Sequence, residues 1–465
     1  MGTKELLEKH LKSNGALSTK LPDILNKGID CISTNASFKM KAMMAMSELA
    51  AFASHLRKPI SLTNGTIIPV NMISVILSPS GTSKDSSMLA IRQAMKPAYE
   101  VIDEHRREFA IKTAKQKAIK AGKPENTWLE YYKAPRDLSS GIATPEGMMA
   151  HLAMLEEGRL GGGMIQVSEY ATELQTSKTI TEIIKLLSEA FDVGAINAKI
   201  VKGEETQTAS IKALPFSALL FGSEGIILYE ETVKNKFKIE MKTKLGRRVF
   251  FNFNTEIPAN IEYETIEELT KAKRLEKERS VEAQSKLRPL MSKLVDTTNQ
   301  EPLTLEDDAN DLYEVYLEYN NLVSQEMPGM YEISKISRKH NSWKTLKLAG
   351  ALAILRGSET ISTNDYVEAI NFTEMYIEDL TKFEIELEKE PYELFCSYMQ
   401  NIAQGGISEI STHNLKKMGY IKGTAGLDKK LKELVQIATS YDKSGIYTVV
   451  DDKIIYEKLR KTNIN

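Results

Sequence analysis

The segment that most restricts this chain is the apolar run Met72-Ile-Ser-Val-Ile-Leu77, followed by Ser78-Pro-Ser-Gly-Thr-Ser-Lys-Asp-Ser-Ser87. A short apolar run bounded by turn residues predicts a buried strand. Met88, Leu89, Ile91 and Met95 then restore helical spacing, so the polar loop joins a strand to a helix. A phosphate-binding loop requires this context, because successive backbone N–H groups and a helix N-terminus face an anion there. Set against the spacing G-x-x-x-x-G-K-[ST], Ser78 and Ser83 replace the glycines and Lys84 is kept. Asp85 stands where Ser or Thr belongs, and Gly81 falls inside the loop. The other reading of the segment is an ordinary Ser/Gly turn with a solvated lysine.

Two more strands follow. Met164-Ile-Gln-Val167 ends in Ser168-Glu169, and Ser217 to Phe221 ends in Gly222-Ser223. Strands alternating with helices from Ile67 to about Phe253 predict an α/β fold with a parallel sheet. An ATPase of this architecture needs an acidic residue that positions magnesium and a Glu that polarises the attacking water. Glu169 suits the second role, but Ser168 occupies the place of the first. The two departures compensate if the pair is exchanged, with Asp85 supplying the carboxylate and Ser168 the hydroxyl beside Mg²⁺. Ser86 is the rival source of that hydroxyl, and a strand ending in a solvent-facing Ser-Glu is the plainer reading.

Composition shifts divide the chain into a helical N-terminal region (1-60), a P-loop core (61-260), a charged helical lid (261-388) and a C-terminal module (389-465). Met40, Met43, Met44 and Met46 recur at helical spacing and are expected as helix core rather than a partner groove. A basic helical pattern runs from Tyr99 to about Leu129, and Pro135 to Pro145 reads as a loop. In the last module, helices are expected at Tyr392 to Gln404, Ser411 to Met418 and Asp428 to Ala438. A hairpin over Ile446 to Val450 and Ile454 to Tyr456, turning at Asp451-Asp452, completes a winged helix.

With 61 Lys plus Arg against 63 Asp plus Glu, the net charge of -2 removes global basicity as an argument for nucleic acid. Any such contact must be local: Lys429, Lys430 and Lys432 in the C-terminal module, preceded by Lys416, Lys417 and Lys422, or the basic helix Arg106 to Lys123. Neither region shows the aromatic interleaving of a single-strand stacking platform, and a solvated helical face is the plainer reading of the basic helix. Two distant cysteines and six scattered histidines offer neither a zinc module nor a disulfide framework. No apolar run spans a bilayer and the N-terminus lacks a signal-peptide pattern, so a soluble cytoplasmic protein is expected.

Taken in order, Pro79-Ser-Gly-Thr-Ser-Lys84, Ala143-Thr-Pro-Glu-Gly-Met148, Gly162-Gly-Met-Ile-Gln-Val-Ser-Glu169 and Pro215 to Ser223 resemble the P-loop ATPases of bacteriophages and mobile elements. Gly246-Arg-Arg-Val-Phe250 is similar to their G-x-x-R-[aromatic] element, and Arg338 with Leu346 to Leu355 is similar to their helical lid. The resemblance covers roughly Ile67 to Phe383. It implies an ATP-dependent DNA helicase or translocase of phage or mobile-element replication, using ATP and Mg²⁺. It further implies a homo-oligomeric ring, a hexamer, acting on single-stranded or forked DNA, with a separate primase or polymerase partner and the host cytoplasm as its location. Position by position, Ser80, Gly81, Thr82, Ser83, Lys84, Asp85 and Ser86 would line the nucleotide, Ser223 would sense the γ-phosphate, and Glu169 would activate water. Arg247 or Arg248 would enter a neighbour's site as an arginine finger. The alternative is a non-catalytic or weakly catalytic nucleotide-binding initiator, helicase loader or DNA-binding scaffold. The irregular loop favours that alternative; Lys84 and Glu169 oppose it.

Overall fold

The computed structural model describes residues 2–79, 81–156, 158, 160–196, 214–254, 264–403, 406–417, 420–421 and 425–459. Within them, five strands form one parallel sheet: β1 (Ile73–Leu77), β2 (Ser139–Ser140), β3 (Gly163–Val167), β4 (Phe216–Gly222) and β5 (Val249–Phe253). Their spatial order is β2-β3-β4-β1-β5. The expected α/β architecture is present. Val75 of β1 lies opposite Leu220 of β4 on one side and Phe251 of β5 on the other. Every residue of β1, β4 and β5 is buried, the pattern of parallel strands covered on both faces. The edge strand β2 falls inside the stretch read as a loop. Two serines give no apolar alternation, and the pairing of Ser139 and Ser140 with Met164 and Ile165 comes from the neighbouring strand.

Helix α1 (Phe38–His55) is rich in Met and Ala around its whole circumference, and a helix of that kind must be buried. Met40, Met43, Met44 and Met46 are all 0% exposed, each contributing about 2 kcal/mol by leaving water. Ser47 of α1 donates to the Ser74 hydroxyl on β1 at 2.7 Å. From the polar loop, α2 (Lys84–Lys120) runs 37 residues without interruption, with Pro97 inside it. The sequence pattern extends this helix to 129, but the chain turns at Gly122, whose φ is +71°, and returns as a 3-10 turn over Glu125–Tyr131. Gly followed by Pro124 is a stop signal stronger than the apolar spacing beyond it.

The remaining helices that concern the site are α3 (Tyr170–Thr176), α4 (Thr179–Val193), α5 (Glu224–Tyr229), α6 (Ile266–Thr297), α7 (Asn341–Leu355) and α8 (Ile377–Glu388). One continuous apolar cluster takes in residues from Leu11 to Leu394, so the N-terminal helices, the sheet and the helices after 264 share a core. A second cluster runs from Phe395 to Tyr456. It is built from α9 (Pro391–Ile402), β6 (Ile407–Ser411), α10 (Thr412–Lys417), α11 (Leu427–Tyr441), β7 (Gly445–Val450) and β8 (Lys453–Lys458). The hairpin turns at Asp451-Asp452 as expected, with Asp451 at φ +52°. Strand β6, which pairs with β8, was not legible. Its alternation is inverted at the start, with Ile407 exposed and Ser408 buried, where the Ser408 hydroxyl donates to Met399 O at 2.8 Å.

Polar groups inside the first core tie its parts together. Lys347 of α7 is fully buried, and its ammonium donates to Pro69 O, Asn71 Oδ1 and Phe191 O at 2.8, 3.0 and 2.6 Å. Lys344 donates to Val249 O and Ser337 Oγ, both at 2.9 Å. Asp379 of α8, 2% exposed, accepts from Lys39 Nζ at 2.8 Å, Asn252 Nδ2 at 2.9 Å and Phe253 N at 3.3 Å. One carboxylate thereby joins α1, β5 and α8. Among the described residues, no helix is long and apolar enough to cross a membrane.

Removing the Asp379 carboxylate leaves three donors without it, two of them on the sheet. Asp379→Ala is expected to cost about 3 kcal/mol of unfolding free energy, measured by urea denaturation. Burial also pushes the Lys344 ammonium down to about 7 from the ordinary 10.5. Below about pH 7 it is charged in both states; between about 7 and 10.5 the unfolded chain keeps a proton that the folded chain has released. Its contribution to stability therefore rises with pH across that window. Lys344→Met is expected to lose this rise, read as a wild-type-minus-variant difference in urea midpoint that grows from pH 7 to pH 10.

Candidate functional site

In a parallel sheet the crevice outside the carboxyl ends of the strands is the natural ligand site. Here the ends of β1, β4 and β3, three adjacent strands, carry the polar segments singled out in the sequence. The loop after β1 is fastened at its base, where Ser78 N donates to Gly222 O at 3.2 Å. The Ser78 and Thr82 hydroxyls lie 2.8 Å apart, and Thr82 Oγ1 also donates to Pro79 O at 2.9 Å. Both side chains are buried, so Thr82 holds the loop's shape and turns its hydroxyl inward. Gly81, at φ +84°, and Ser83, at φ +61°, adopt left-handed backbone. Ser83 is the N-cap of α2. Left-handed residues leading into a helix N-terminus make a concavity of N–H groups suited to an anion. Ser80 lies outside the described residues.

Lys84 opens α2 and folds back over the loop, donating to Ser78 O and Pro79 O at 2.9 Å each. Burial lowers its pKa, opposed by the charges of Glu224, Glu169 and Asp85. Those three carboxylates therefore lie within electrostatic range of the ammonium. Asp85 and Ser86, in the first turn of α2, are exposed, as are Ser168 and Glu169 at the end of β3. Glu169 is the N-cap of α3, and Ser223 is the N-cap of α5. The strand ends are close: a Cβ on Gly222 would stand 3.3 Å from Tyr170 N, so a side chain there would require β4 and α3 to give by a few tenths of an ångström.

Glu224 was missed in the sequence. Its Oε2 is buried without a hydrogen-bond partner, and burial pushes the carboxyl up to about 7, against the pull of Lys84. A signal for it existed: Val167-Ser168-Glu169 and Gly222-Ser223-Glu224 are the same strand-end pattern, repeated on adjacent strands. The far end of α5 meets the C-terminal module, with the rings of Tyr229 and Tyr420 at 4.4 Å.

Arg247 and Arg248 lie elsewhere. They precede Val249, which pairs with Ile73, the first residue of β1, so both sit at the end of the sheet opposite the loop. Arg248 is buried, with Nη2 and Nε on the Asp192 carboxylate at 2.6 and 3.3 Å and Nη1 on Lys244 O at 2.6 Å. Arg247 stays 44% exposed, 3.5 Å from the same carboxylate. Arg338 is buried against Glu374 at 2.8 Å and the ring of Tyr319. Lys429 and Lys432 are exposed on α11, and Lys430 is half-buried on the same helix. Lys422 lies outside the described residues. No protein-family model matches the chain, and no curated protein matches it.

Left-handed backbone ahead of a helix N-terminus suits these strand ends to an anion, with the Glu224 carboxyl within electrostatic range of Lys84. A polyphosphate beside Lys84 is expected to bind more weakly as pH rises through about 7, because Glu224 then gains its charge. Titration calorimetry with tripolyphosphate from pH 6 to 8.5 checks this, and Glu224→Gln should remove that part of the dependence.

Proposed function

We propose that the chain is a P-loop ATPase that translocates on DNA, with Lys84, Glu169 and Ser223 as its hydrolytic centre. The observation that carries this reading is the convergence of the loop, the acidic strand end and the serine strand end on three adjacent parallel strands. Lys84 would contact the outer phosphates of ATP. Its ammonium is held by two loop carbonyls, partners that phosphate oxygens can replace. Mg²⁺ would be held by Asp85 with Ser86 or Ser168, a hard oxygen set, and would neutralise phosphate charge. No group of three or more His, Cys, Asp or Glu side chains suited to a metal exists among the described residues.

Glu169, exposed at the cleft, would orient the attacking water and draw off its proton, and Ser223 would bond the γ-phosphate. In a ring with head-to-tail contacts, the end of the sheet bearing Arg247 can meet the next subunit's cleft. Arg248, fixed by Asp192 and Lys244 O, would brace that segment, leaving Arg247 as the finger. The helix–strand–helix–helix–hairpin order of the C-terminal module supports a winged helix, with Lys429, Lys430 and Lys432 of α11 as its phosphate contacts.

The second reading is a nucleotide-binding scaffold with little turnover. The closed posture of Lys84 on its own loop, near the half-enclosed Glu224 carboxyl, favours it.

Phosphate release with and without single-stranded DNA separates the two readings. Lys84→Ala is expected to lose ATP binding and at least about a hundred-fold in turnover, whereas Glu169→Gln keeps binding and loses a similar factor in turnover. Turnover that survives Lys84→Ala removes this site from consideration, and a wild type that binds ATP without turnover leaves the scaffold. Arg247→Ala should also be inactive, yet regain part of the rate when mixed with Lys84→Ala, since a mixed interface holds one intact pair.

A further inference from the structure

The sequence shows a basic helix followed by a separate aromatic segment; the fold lays one against the other. After α2 turns at Gly122, Glu125–Tyr131 packs back against it, bringing Tyr131 to a groove it shares with Lys117. Residues 106 to 136 carry nine Lys or Arg against three Glu, a strong local excess in a chain of net charge -2. Some of that charge is spent internally. Arg106 is buried against Asp103 and the Arg136 carbonyl, Lys115 pairs with Glu125, and Lys123 pairs with Glu130. Arg107, Lys112, Lys117, Lys120 and Lys133 have no ion-pair partner among the described residues, and all five are exposed.

Between helix and return lies a groove whose lining includes the rings Phe109 and Tyr131 and the cations Lys117, Lys133 and Arg136. Trp128 and Tyr132 stand edge to face at 5.5 Å, and the Lys123 ammonium lies 5.7 Å from the Tyr131 ring centre. None of these aromatic side chains is fully buried, and Leu129 beside them is 68% exposed. The feature belongs to no apolar core and lies some distance along α2 from the cleft.

We infer that this hairpin, α2 with its aromatic return, is a binding site for single-stranded nucleic acid. The free cations track the phosphate backbone, and Tyr131, with Phe109 and Trp128 near it, gives unpaired bases a surface to stack on. A duplex offers the same phosphates but no exposed base faces, so the aromatic component selects single strands. Charge complementarity names the polyanion, and the rings name its unpaired form. The site does not depend on the ATPase reading; only the choice of DNA over RNA rests on it.

The test is fluorescence anisotropy of the full chain, without nucleotide, using labelled oligothymidylate and oligouridylate of about 20 nucleotides and a DNA duplex of equal length. Tyr131→Ala is expected to weaken single-strand binding about ten-fold, leave duplex binding unchanged and leave the salt slope intact, while Tyr131→Phe retains wild-type affinity. The pair Lys117→Gln with Lys133→Gln, both exposed, should lower the salt slope by about 1.4. Binding of either single strand with this pattern supports the inference, and a preference for oligothymidylate ties it to DNA. Single strands bound equally by wild type and all hairpin variants, or lost only in Lys429→Gln with Lys432→Gln, overturn it. Because no ATP is present, failure of the Lys84 site leaves this result untouched.

Discussion

The amino ends of the sheet are held by lysine side-chain nitrogens that have left water. Lys347 draws together the backbone before β1 and the end of α4, and Lys344, from the same helix, holds the first residue of β5. An ammonium buried among carbonyls is tolerated only while every oxygen stays in place, so these contacts allow little sliding of strand against helix. Arg248 on Asp192 adds a fixed guanidinium at the same end. The rest of the architecture depends on this anchoring, because it leaves the carboxyl ends as the place where loops can differ and polar groups can gather.

That asymmetry explains the character of the cleft. Lys84, half-buried, meets two loop carbonyls within range of carboxylates, whereas its counterparts on α7 are sealed. Glu224 is the exception, a carboxyl half enclosed at the mouth of a polar site. Helix α5 carries it at one end and Tyr229, in contact with the C-terminal module, at the other. The cleft and the second apolar cluster are thus one short helix apart.

Much of this was legible in the residues. The strand before Lys84, the strands ending in Glu169 and Ser223, the methionine-rich core helix and the hairpin at Asp451-Asp452 all carry local patterns that tertiary contacts reinforce. What escaped was decided by contacts distant in sequence. Ser139 and Ser140 become a strand because Met164 and Ile165 lie alongside, and Ile407 faces solvent while Ser408 turns in to bond Met399 O. The role of Arg248 as a brace was hidden because Asp192, its partner, is 56 residues away. The aromatic return onto α2 was hidden for a different reason: its rings and its lysines occupy separate stretches, and only the turn at Gly122 overlays them.

Helix α2 has a mechanical consequence of its own. At 1.5 Å per residue its 37 residues form a rod about 55 Å long, rooted in the cleft at Lys84 and tipped by lysines at the aromatic hairpin. A tilt of about 5° at the root moves the tip of such a rod by about 5 Å, close to the rise of a full helical turn. Because α2 is packed against α1 and α6, such a tilt is resisted, and the helix holds the loop at Lys84 and the aromatic hairpin about 55 Å apart.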